Sequence, residues 1–542
     1  MNILVAAILG AGVFFVFAGP GVLDPTNIAW LQSGDRAMHQ LGWMAFRHAA
    51  WGWPPGASPD LGIELSNSIA LVDGLPLFAF PFKLLSALLP DPVQYWGLWL
   101  LACFVLQGVF AYLLARALGI MGAAALAAAA LVLITPAFLY RVPMHMALSG
   151  HWTILAGLWL YARPASPKAW HWPLLAALTS GIHAYLLAMV LAVWGASLLQ
   201  RLLLRKLGWL GALVEIGVTF AAVLLVLVLA GFFMTGSLGA YGFGAYKLNL
   251  LWPIISYGWS RIFPNLHHTK FDYEGMSFLG IGVLGLLALA VATGAILQAK
   301  ALFYRRWWPL AIVAIAMAVF ALSHQVAILD HEWFEVPLPQ PLLDLLSAFR
   351  SSGRFVWPLL YLVTIGVVAL LAQRFRPMPL AVIATLALCA QIVDTSPKWR
   401  EFAAGLPAPA RVWDTEFKSA FWDRAADAGY TRIRAFPLQG YGGDWEAPSY
   451  YAVTHHMATD AVYLGRTDEA AHSALIEKEQ QALATGDFEP RTLYLFDAEN
   501  ATLAAQHLGA GDLLAKIDGR IVFARDGAAL VDGLGIDPQS AR

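Results

Sequence analysis

The sequence predicts an α-helical polytopic membrane protein of about eleven transmembrane helices, followed by a small soluble domain of the α/β or α+β class. Of its 542 residues, 59% are hydrophobic and only 13% are charged, whereas a soluble domain carries about 25% charged residues. About half of the charge lies in the last quarter of the chain, from Thr395 to Arg542. We therefore expect a membrane domain over residues 1–394 and a soluble domain over residues 395–542.

Apolar segments of transmembrane length recur along the first part of the chain. A helix needs about 20 apolar residues to cross the bilayer core. One long tilted helix over 170–200 is an alternative to two short ones, but the break at Ser180-Gly181-Ile182-His183 favours a hairpin. The predicted spans are 3–20, 97–117, 120–138, 148–162, 170–182, 184–200, 209–233, 276–298, 307–323, 354–372 and 378–394.

The basic residues of the loops predict the orientation. Cytoplasmic loops carry an excess of Lys and Arg. With eleven spans the long loops 21–96, 234–275 and 324–353 fall opposite the basic loops, together with the C-terminal domain. This predicts a bacterial inner-membrane protein with a cytoplasmic N-terminus and a periplasmic C-terminus. The basic loop residues on the side of the N-terminus are Arg116, Arg163, Lys168, Arg201, Arg205, Lys206, Lys300, Arg305, Arg306, Arg374 and Arg376.

The C-terminal part alternates helical and strand patterns. Residues 416–428 and 468–484 have a helical pattern, whereas 433–438, 492–496 and 520–524 are typical of short buried strands. These patterns predict the α/β or α+β domain.

Two classes of function are excluded early. The net charge of −1 implies no polyanionic partner and argues against nucleic acid. Residues 280–285, GIGVLG, match a dinucleotide-binding pattern but lie inside a predicted membrane helix and follow no strand. Close helix packing is the better interpretation of these glycines.

The long first outer loop, 21–96, carries a candidate general base. If residues 33–48 are helical, Asp35 and His39 share a face at i and i+4. A carboxylate at a lipid–water boundary is partly desolvated, which raises its pKa towards that of a useful base. The alternative is that Asp35 caps a surface helix. The tryptophans of the loop, including Trp43, form either an aromatic belt at the headgroups or a stacking platform for a sugar or lipid.

A second cluster is cationic. Arg350 and Arg354 precede the tenth span on its outer side, against the expected charge bias, and Arg141 and Lys247 are also outside. Arginine forks match phosphate oxygens bidentately, which predicts a site for a lipid phosphate or pyrophosphate. The alternatives are headgroup contact and pairing with loop carboxylates such as Asp272 and Glu274.

This layout resembles the GT-C superfamily of glycosyltransferases. The resemblance rests on the many spans, on the long first outer loop with Gly34-Asp35 early in it, and on Asp73-Gly74-Leu75-Pro76-Leu77 before the second span. It implies a polyprenyl-phosphate-linked sugar donor, a glycan, lipid or protein acceptor, and contact with membrane lipids. No Asp-x-Asp pair follows the first helix, so the sequence indicates no confident cofactor and leaves a divalent metal open.

The resemblance implies a role for Asp35, and the residues themselves suggest roles for the others. Asp35 falls where the family places its general base. Donor phosphate binding is assigned to Arg350, Arg354, Lys247 and Arg141, and substrate contact to His39, Trp43, Asp73 and Glu274.

Three hypotheses remain from the sequence. The first is an inverting transferase of a lipid-linked sugar. The second is a transporter or flippase of lipid-linked glycans, which would favour a hydrophilic midplane cavity and internal repeats. The third is a membrane scaffold without enzymatic activity that presents the C-terminal domain.

Overall fold

The computed structural model describes residues 2–235, 242–304, 306–438, 444–465 and 468–541. Arg305, one of the predicted cytoplasmic residues, and Arg542 lie outside them. The chain divides into two compact units. The helical unit comprises Met1–Asp24, Tyr95–Val226 and Gly239–Pro407, and the mixed unit comprises Pro25–Gln94, Leu227–Leu238 and Ala408–Arg542.

Long apolar helices make this a multi-pass membrane protein. Within the described residues, five helices are long and apolar enough to cross a membrane, and a sixth span results if a pair bent by 43° is counted as one. The five are Trp96–Ala117, Ala184–Leu203, Trp209–Leu229, Ser352–Leu371 and Pro377–Ala404, and the bent pair is Gly122–Leu133 with Pro136–Met144.

Shorter helices account for the remaining predicted spans. Each of the eleven predicted segments overlaps a helix, but the count of eleven spans is not confirmed, because several helices are shorter than a bilayer crossing requires. The shorter helices are Asn2–Phe17, Trp152–Ala162, His171–Ser180, Ile281–Ala292 and Trp308–Leu322.

Local contacts explain two features of the sequence in the helical unit. One helix ends at Ser180 and the next begins at Ala184, with the ring of His183 accepting a hydrogen bond from the Tyr185 amide. Segment 170–200 is therefore two helices. At Gly282, an added Cβ would lie 2.2 Å from the carbonyl oxygen of Ala387 on the neighbouring helix. Close helix packing thus explains this glycine of the GIGVLG segment.

The mixed unit contains a five-stranded sheet. In the helical unit, β1 (Gln325–Ile328) and β2 (His331–Glu335) form an antiparallel pair. The mixed unit follows with β3 (Arg432–Phe436), β4 (Ala458–Thr459), β5 (Thr492–Phe496), β6 (Leu513–Ile517) and β7 (Arg520–Ala524), in the order β4-β3-β5-β7-β6. β3 runs parallel to β4 and β5, whereas β7 is antiparallel to β5 and β6.

Helices cover the sheet of the mixed unit. Because side chains alternate along a strand, Ile433 and Leu493 enter one apolar core, while Phe436 and Tyr494 enter another. The C-terminal part is thus an α/β domain. Its helices are Ala420–Asp427, Glu446–Thr454, Glu469–Thr485 and Ala498–Ala504.

The predicted loop 21–96 belongs to the mixed unit over residues 25–94. Its helices are Gly34–His48 and Pro76–Leu84. Leu61 forms a parallel bridge with Thr459, and the amide of Gly62 donates to the Thr459 carbonyl at 2.7 Å, so residues 60–62 extend the sheet beyond β4. The predicted division into 1–394 and 395–542 stays a prediction.

Candidate functional site

Three segments of the helical unit meet through close backbone contacts. A Cβ added to Gly353 would lie 2.7 Å from the Cα of Gly275 and 2.8 Å from the carbonyl oxygen of Lys247. The Gly353 amide also donates to the carbonyl of Tyr246 at 3.0 Å. These approaches bring the segments of Lys247, Glu274 and Arg354 to one place.

Two buried arginines share one carboxylate at this place. Oε2 of Glu274 accepts from Nη1 of Arg141 at 2.8 Å and from Nε and Nη2 of Arg354 at 3.1 and 2.8 Å. Nη2 of Arg141 also donates to the Glu274 carbonyl at 2.7 Å. Arg141 is 1% exposed and Arg354 is 7% exposed, so both arginines are largely removed from water, whereas the Glu274 side chain is 17% exposed.

The arginines keep Glu274 ionised. Burial alone would raise the pKa of Glu274, but the charges and hydrogen bonds of Arg354 and Arg141 outweigh burial and hold that pKa well below its usual range. The carboxylate is therefore an anion at any physiological pH.

Aromatic rings fix the two guanidinium groups. The Arg354 guanidinium carbon lies 4.8 Å from the centre of the Tyr185 ring, and that of Arg141 lies 5.3 Å from the Trp357 ring. The Tyr185 hydroxyl also accepts a hydrogen bond from the Ser351 amide at 2.8 Å. Such cation–π contacts hold a cation in a defined orientation.

Lys247 and Arg350 add positive charge to the cluster. The buried Nζ of Lys247 donates to Glu332 at 2.7 Å. Burial, and then the charge of Arg354, lowers the pKa of His145 to about 3, with Arg141 and Arg350 acting in the same direction. His145 is therefore neutral at physiological pH and adds no charge of its own beside these cations.

The structure answers one question that the sequence left open. Arg354 does pair with a loop carboxylate, and that carboxylate is Glu274. Asp272 instead accepts from the Asn249 side chain at 3.0 Å and contacts His268 at 2.9 Å. The pairing does not test phosphate binding by these arginines, which stays a prediction. The substrate-binding role of Glu274 stays a prediction.

The candidate base lies in the mixed unit. The helix Gly34–His48 follows the N-cap residue Ser33, so Asp35 occupies its first turn and is half-buried. His39 and Trp43 follow at successive steps of four residues and are fully buried. The Trp43 indole donates to the carbonyl of Val93 at 2.8 Å. The predicted helical face is therefore present.

Asp73 comes close to this face. It lies in a tight turn with a φ of +49°, and its neighbour Val72 packs on Gly42 of the helix. Ligand-capable atoms of His39 and Asp73 lie within 4.8 Å of each other. The roles of these residues stay predictions, and whether a divalent metal binds here is not tested.

Sequence reasoning missed a further polar cluster in the mixed unit, centred on Arg434. This arginine is 3% exposed and bonds to Asp460 and Glu64, both at 2.7 Å. The signal in the sequence was Arg434 inside the predicted buried strand 433–438, with Arg432 directly before that strand. Arginine on a buried strand requires paired carboxylates.

Comparison with known proteins identifies a family. A family model described as "Domain of unknown function (DUF6311)" matches residues 7–396, and one described as "DUF6311 C-terminal domain" matches residues 421–525. The search of curated proteins gave no match.

Two solved structures of the oligosaccharyltransferase AglB from Archaeoglobus fulgidus are similar to the chain. One, in complex with an inhibitory peptide and a dolichol-phosphate, is 12% identical with a TM-score of 0.40, and the match covers 97% of this chain and 74% of that one. The other, tethered to an acceptor peptide containing the NVT sequon, is 13% identical with a TM-score of 0.44, covering 96% and 74%. TM-scores this low do not establish a common fold.

Proposed function

The chain belongs to the DUF6311 family, and we propose that it is an inverting glycosyltransferase that uses a polyprenyl-phosphate-linked sugar. The acceptor is a periplasmic glycan, lipid or protein. The observation that carries the proposal is the buried pair of Arg141 and Arg354 on the single carboxylate of Glu274.

The chemistry of this cluster suits a lipid phosphate. Buried cations are costly unless anions compensate them, and Arg141 and Arg354 share the one carboxylate of Glu274. Guanidinium groups bind phosphate oxygens through paired hydrogen bonds. Arg354 directly precedes the apolar helix Trp357–Leu371, and a polyprenyl chain is itself apolar. A phosphate on such a chain therefore combines the two properties that this cluster favours.

The proposed reaction is a single displacement. Asp35 removes the proton from an acceptor hydroxyl, whose oxygen attacks the anomeric carbon of the donor sugar. The bond from that carbon to the phosphate oxygen breaks, and polyprenyl phosphate leaves with the electron pair. Arg354, Arg350 and Lys247 stabilise the negative charge that develops on the leaving phosphate. One displacement inverts the anomeric configuration.

The proposed setting is the inner membrane, with the C-terminal domain in the periplasm. The basic short loops support this orientation. A reporter that is active only in the periplasm, fused after Arg542, is expected to be active. Activity of a cytoplasmic reporter at the same position would contradict the orientation.

The decisive test of the function is chemical. Mass spectrometry of surface glycans in a deletion strain is expected to show a missing sugar, restored by the wild-type gene. Purified protein in nanodiscs is expected to release polyprenyl phosphate from the lipid-linked donor only when acceptor is present. Movement of intact lipid-linked glycan across liposomes without loss of its sugar would favour a transporter instead.

A further inference from the structure

The mixed unit contains a cavity of about 340 Å³ that the proposed transfer does not use. It lies between the helix Glu469–Thr485 and the sheet face that carries Arg434, Phe436 and Tyr494, and residues 487–490 close one end. This volume is at the lower end of the range for small-molecule sites, which is about 300–1,000 Å³.

At one side of this cavity, the positive and negative charges of a network of ion pairs compensate each other. Arg434 bonds to Asp460, Glu64 and Glu489. Lys478 donates to Glu64 at 2.9 Å and to Glu489 at 2.6 Å, and Arg432 donates to Glu489 at 3.0 Å. The three cations thus face three carboxylates. This network therefore presents little net charge to a ligand.

Glu479 lines the same cavity and stands outside this network. It is 7% exposed, and its Oε1 has no hydrogen-bond partner among the described residues. A buried polar atom without a partner costs free energy and calls for an explanation, of which a ligand is one. Glu479 is thus a buried polar side chain in the wall of the cavity, with one carboxyl oxygen that lacks a hydrogen-bond partner among the described residues.

The protonation state of Glu479 limits the kind of ligand. Burial, and then the charge of Asp460, raises the pKa of Glu479 to about 8. Its side chain is therefore mainly a neutral carboxylic acid at pH 7, which donates one hydrogen bond and accepts others. Hydroxyl groups, which also donate and accept, are the matching partners.

The rest of the lining favours a sugar over other hydroxylated ligands. The exposed rim contains Gln481, Thr485 and Asp487, whose side-chain types are able to hydrogen-bond to hydroxyl groups. The wall includes the aromatic rings of Phe488 and Tyr494, which suit the apolar C–H surface of a pyranose. Apolar walls with a few placed polar groups are the usual form of a small-ligand site.

We infer that this cavity binds the end of a neutral saccharide, with Glu479 as its buried hydrogen-bonding group. The inference does not depend on sugar transfer, because the cavity shares no residue with those assigned to the reaction. It gives the C-terminal domain a glycan-binding role of its own.

The test is glycan binding by the full-length protein in nanodiscs. The probes are an array of neutral oligosaccharides, including N-acetylglucosamine oligomers, and the matching glucosamine oligomers, which carry amines. We expect the wild-type protein to retain neutral oligosaccharides of the array. Glu479→Leu is expected to bind them about tenfold more weakly, because the change removes the hydrogen bonds of the side chain but preserves its approximate volume. Glu479→Gln, which still donates and accepts, is expected to bind within a few-fold of wild type.

Matched variants separate binding from folding. Glu477→Leu changes an exposed glutamate on the same helix and is expected to bind normally. Gln481→Ala changes an exposed rim residue and is expected to bind several-fold more weakly with an unchanged Tm. Asp35→Asn is expected to bind normally, so failure of the transfer mechanism would leave this result intact.

Three results would overturn the inference. The first is that the protein retains no neutral saccharide. The second is that both Glu479→Leu and Gln481→Ala bind with wild-type affinity. The third is that the protein prefers the amine-bearing oligomers and loses this preference in Glu479→Gln. The last result would identify a site for cations.

Discussion

Arg354 and Glu274 are joined by two hydrogen bonds to a single carboxylate oxygen, at 3.1 and 2.8 Å. Arg141 donates to the same oxygen. The pair is therefore part of a buried group in which one anion serves two cations. Such a group fixes the positions of both arginines through one carboxylate.

The first prediction concerns donor binding. Arg354→Ala should weaken binding of polyprenyl phosphate, because loss of one partner of a buried charge pair costs about 2–5 kcal/mol. Affinity is measured in nanodiscs, with the uncharged polyprenol as the control ligand. Arg374→Ala changes an exposed arginine and should bind normally. Unchanged affinity in Arg354→Ala would remove this residue from the site.

The second prediction concerns the shared carboxylate. Glu274→Gln leaves Arg141 and Arg354 buried without their anion, which should destabilise the protein by about 3–5 kcal/mol. Polyprenyl phosphate should then raise the Tm of the variant more than that of wild type, because the ligand supplies the missing charge. Equal Tm shifts in the two proteins would show that the phosphate binds elsewhere.

The third prediction concerns the backbone contacts behind the cluster. Gly353→Ala would place a Cβ within 3 Å of the backbone at Gly275 and Lys247, and backbone cannot move aside cheaply. The variant should lose stability and phosphate affinity together. Gly366→Ala, in the helix that follows, meets nothing within 4 Å and serves as the control. If Gly353→Ala and Gly366→Ala had similar melting temperatures and phosphate affinities, the close backbone packing at Gly353 would be contradicted.

The fourth prediction concerns the pH dependence of Glu479. Its folded-state pKa is raised from 4.5 to about 8, so the folded state holds the proton more tightly than the unfolded state. The resulting stabilisation is fully present below pH 4.5 and is lost as pH rises through about 8. Thermal unfolding of wild type should therefore show this loss, whereas Glu479→Gln should show a smaller one. If the stability of the two proteins changed with pH in the same way, the raised pKa of Glu479 would be contradicted.

The local sequence pattern predicted where the helices lie, but it did not determine how many of them cross the membrane. A helix lies at the position of every predicted apolar segment. The predicted break before His183 is also present. Whether a short helix such as Ile281–Ala292 crosses the bilayer depends on neighbours and tilt, which hydropathy alone does not contain. The strands β3, β5 and β7 were predicted because their apolar runs are short and bounded by turn residues.

Contacts between residues far apart in the chain could not be predicted from the sequence. Glu64 and Arg434 are 370 positions apart, and no periodicity links a loop glutamate to one strand arginine. The assignment of the first outer loop to the mixed unit depends on such contacts. In the helical unit the arginines were candidates from their position, but their sharing of Glu274 required the close approach at Gly353.

The fifth prediction concerns Asp35, on which the proposed mechanism depends. Asn keeps the size of Asp and one carbonyl oxygen but cannot accept the acceptor's proton, and a positioned base contributes about 10²–10⁴-fold in rate. Asp35→Asn should therefore insert and bind donor normally yet lose most transfer. The exposed Asp24, near the end of the first helix, is the control, and Asp24→Asn should transfer normally.

The most direct measurement is sugar transfer in nanodiscs by wild type, Asp35→Asn and Asp24→Asn, with polyprenyl phosphate affinity measured on the same samples. A loss of about 10²-fold or more in Asp35→Asn alone, at unchanged affinity, is the predicted result. Loss only in Asp24→Asn would assign the base to that residue. Full transfer in Asp35→Asn and Asp24→Asn alike would contradict the proposed mechanism.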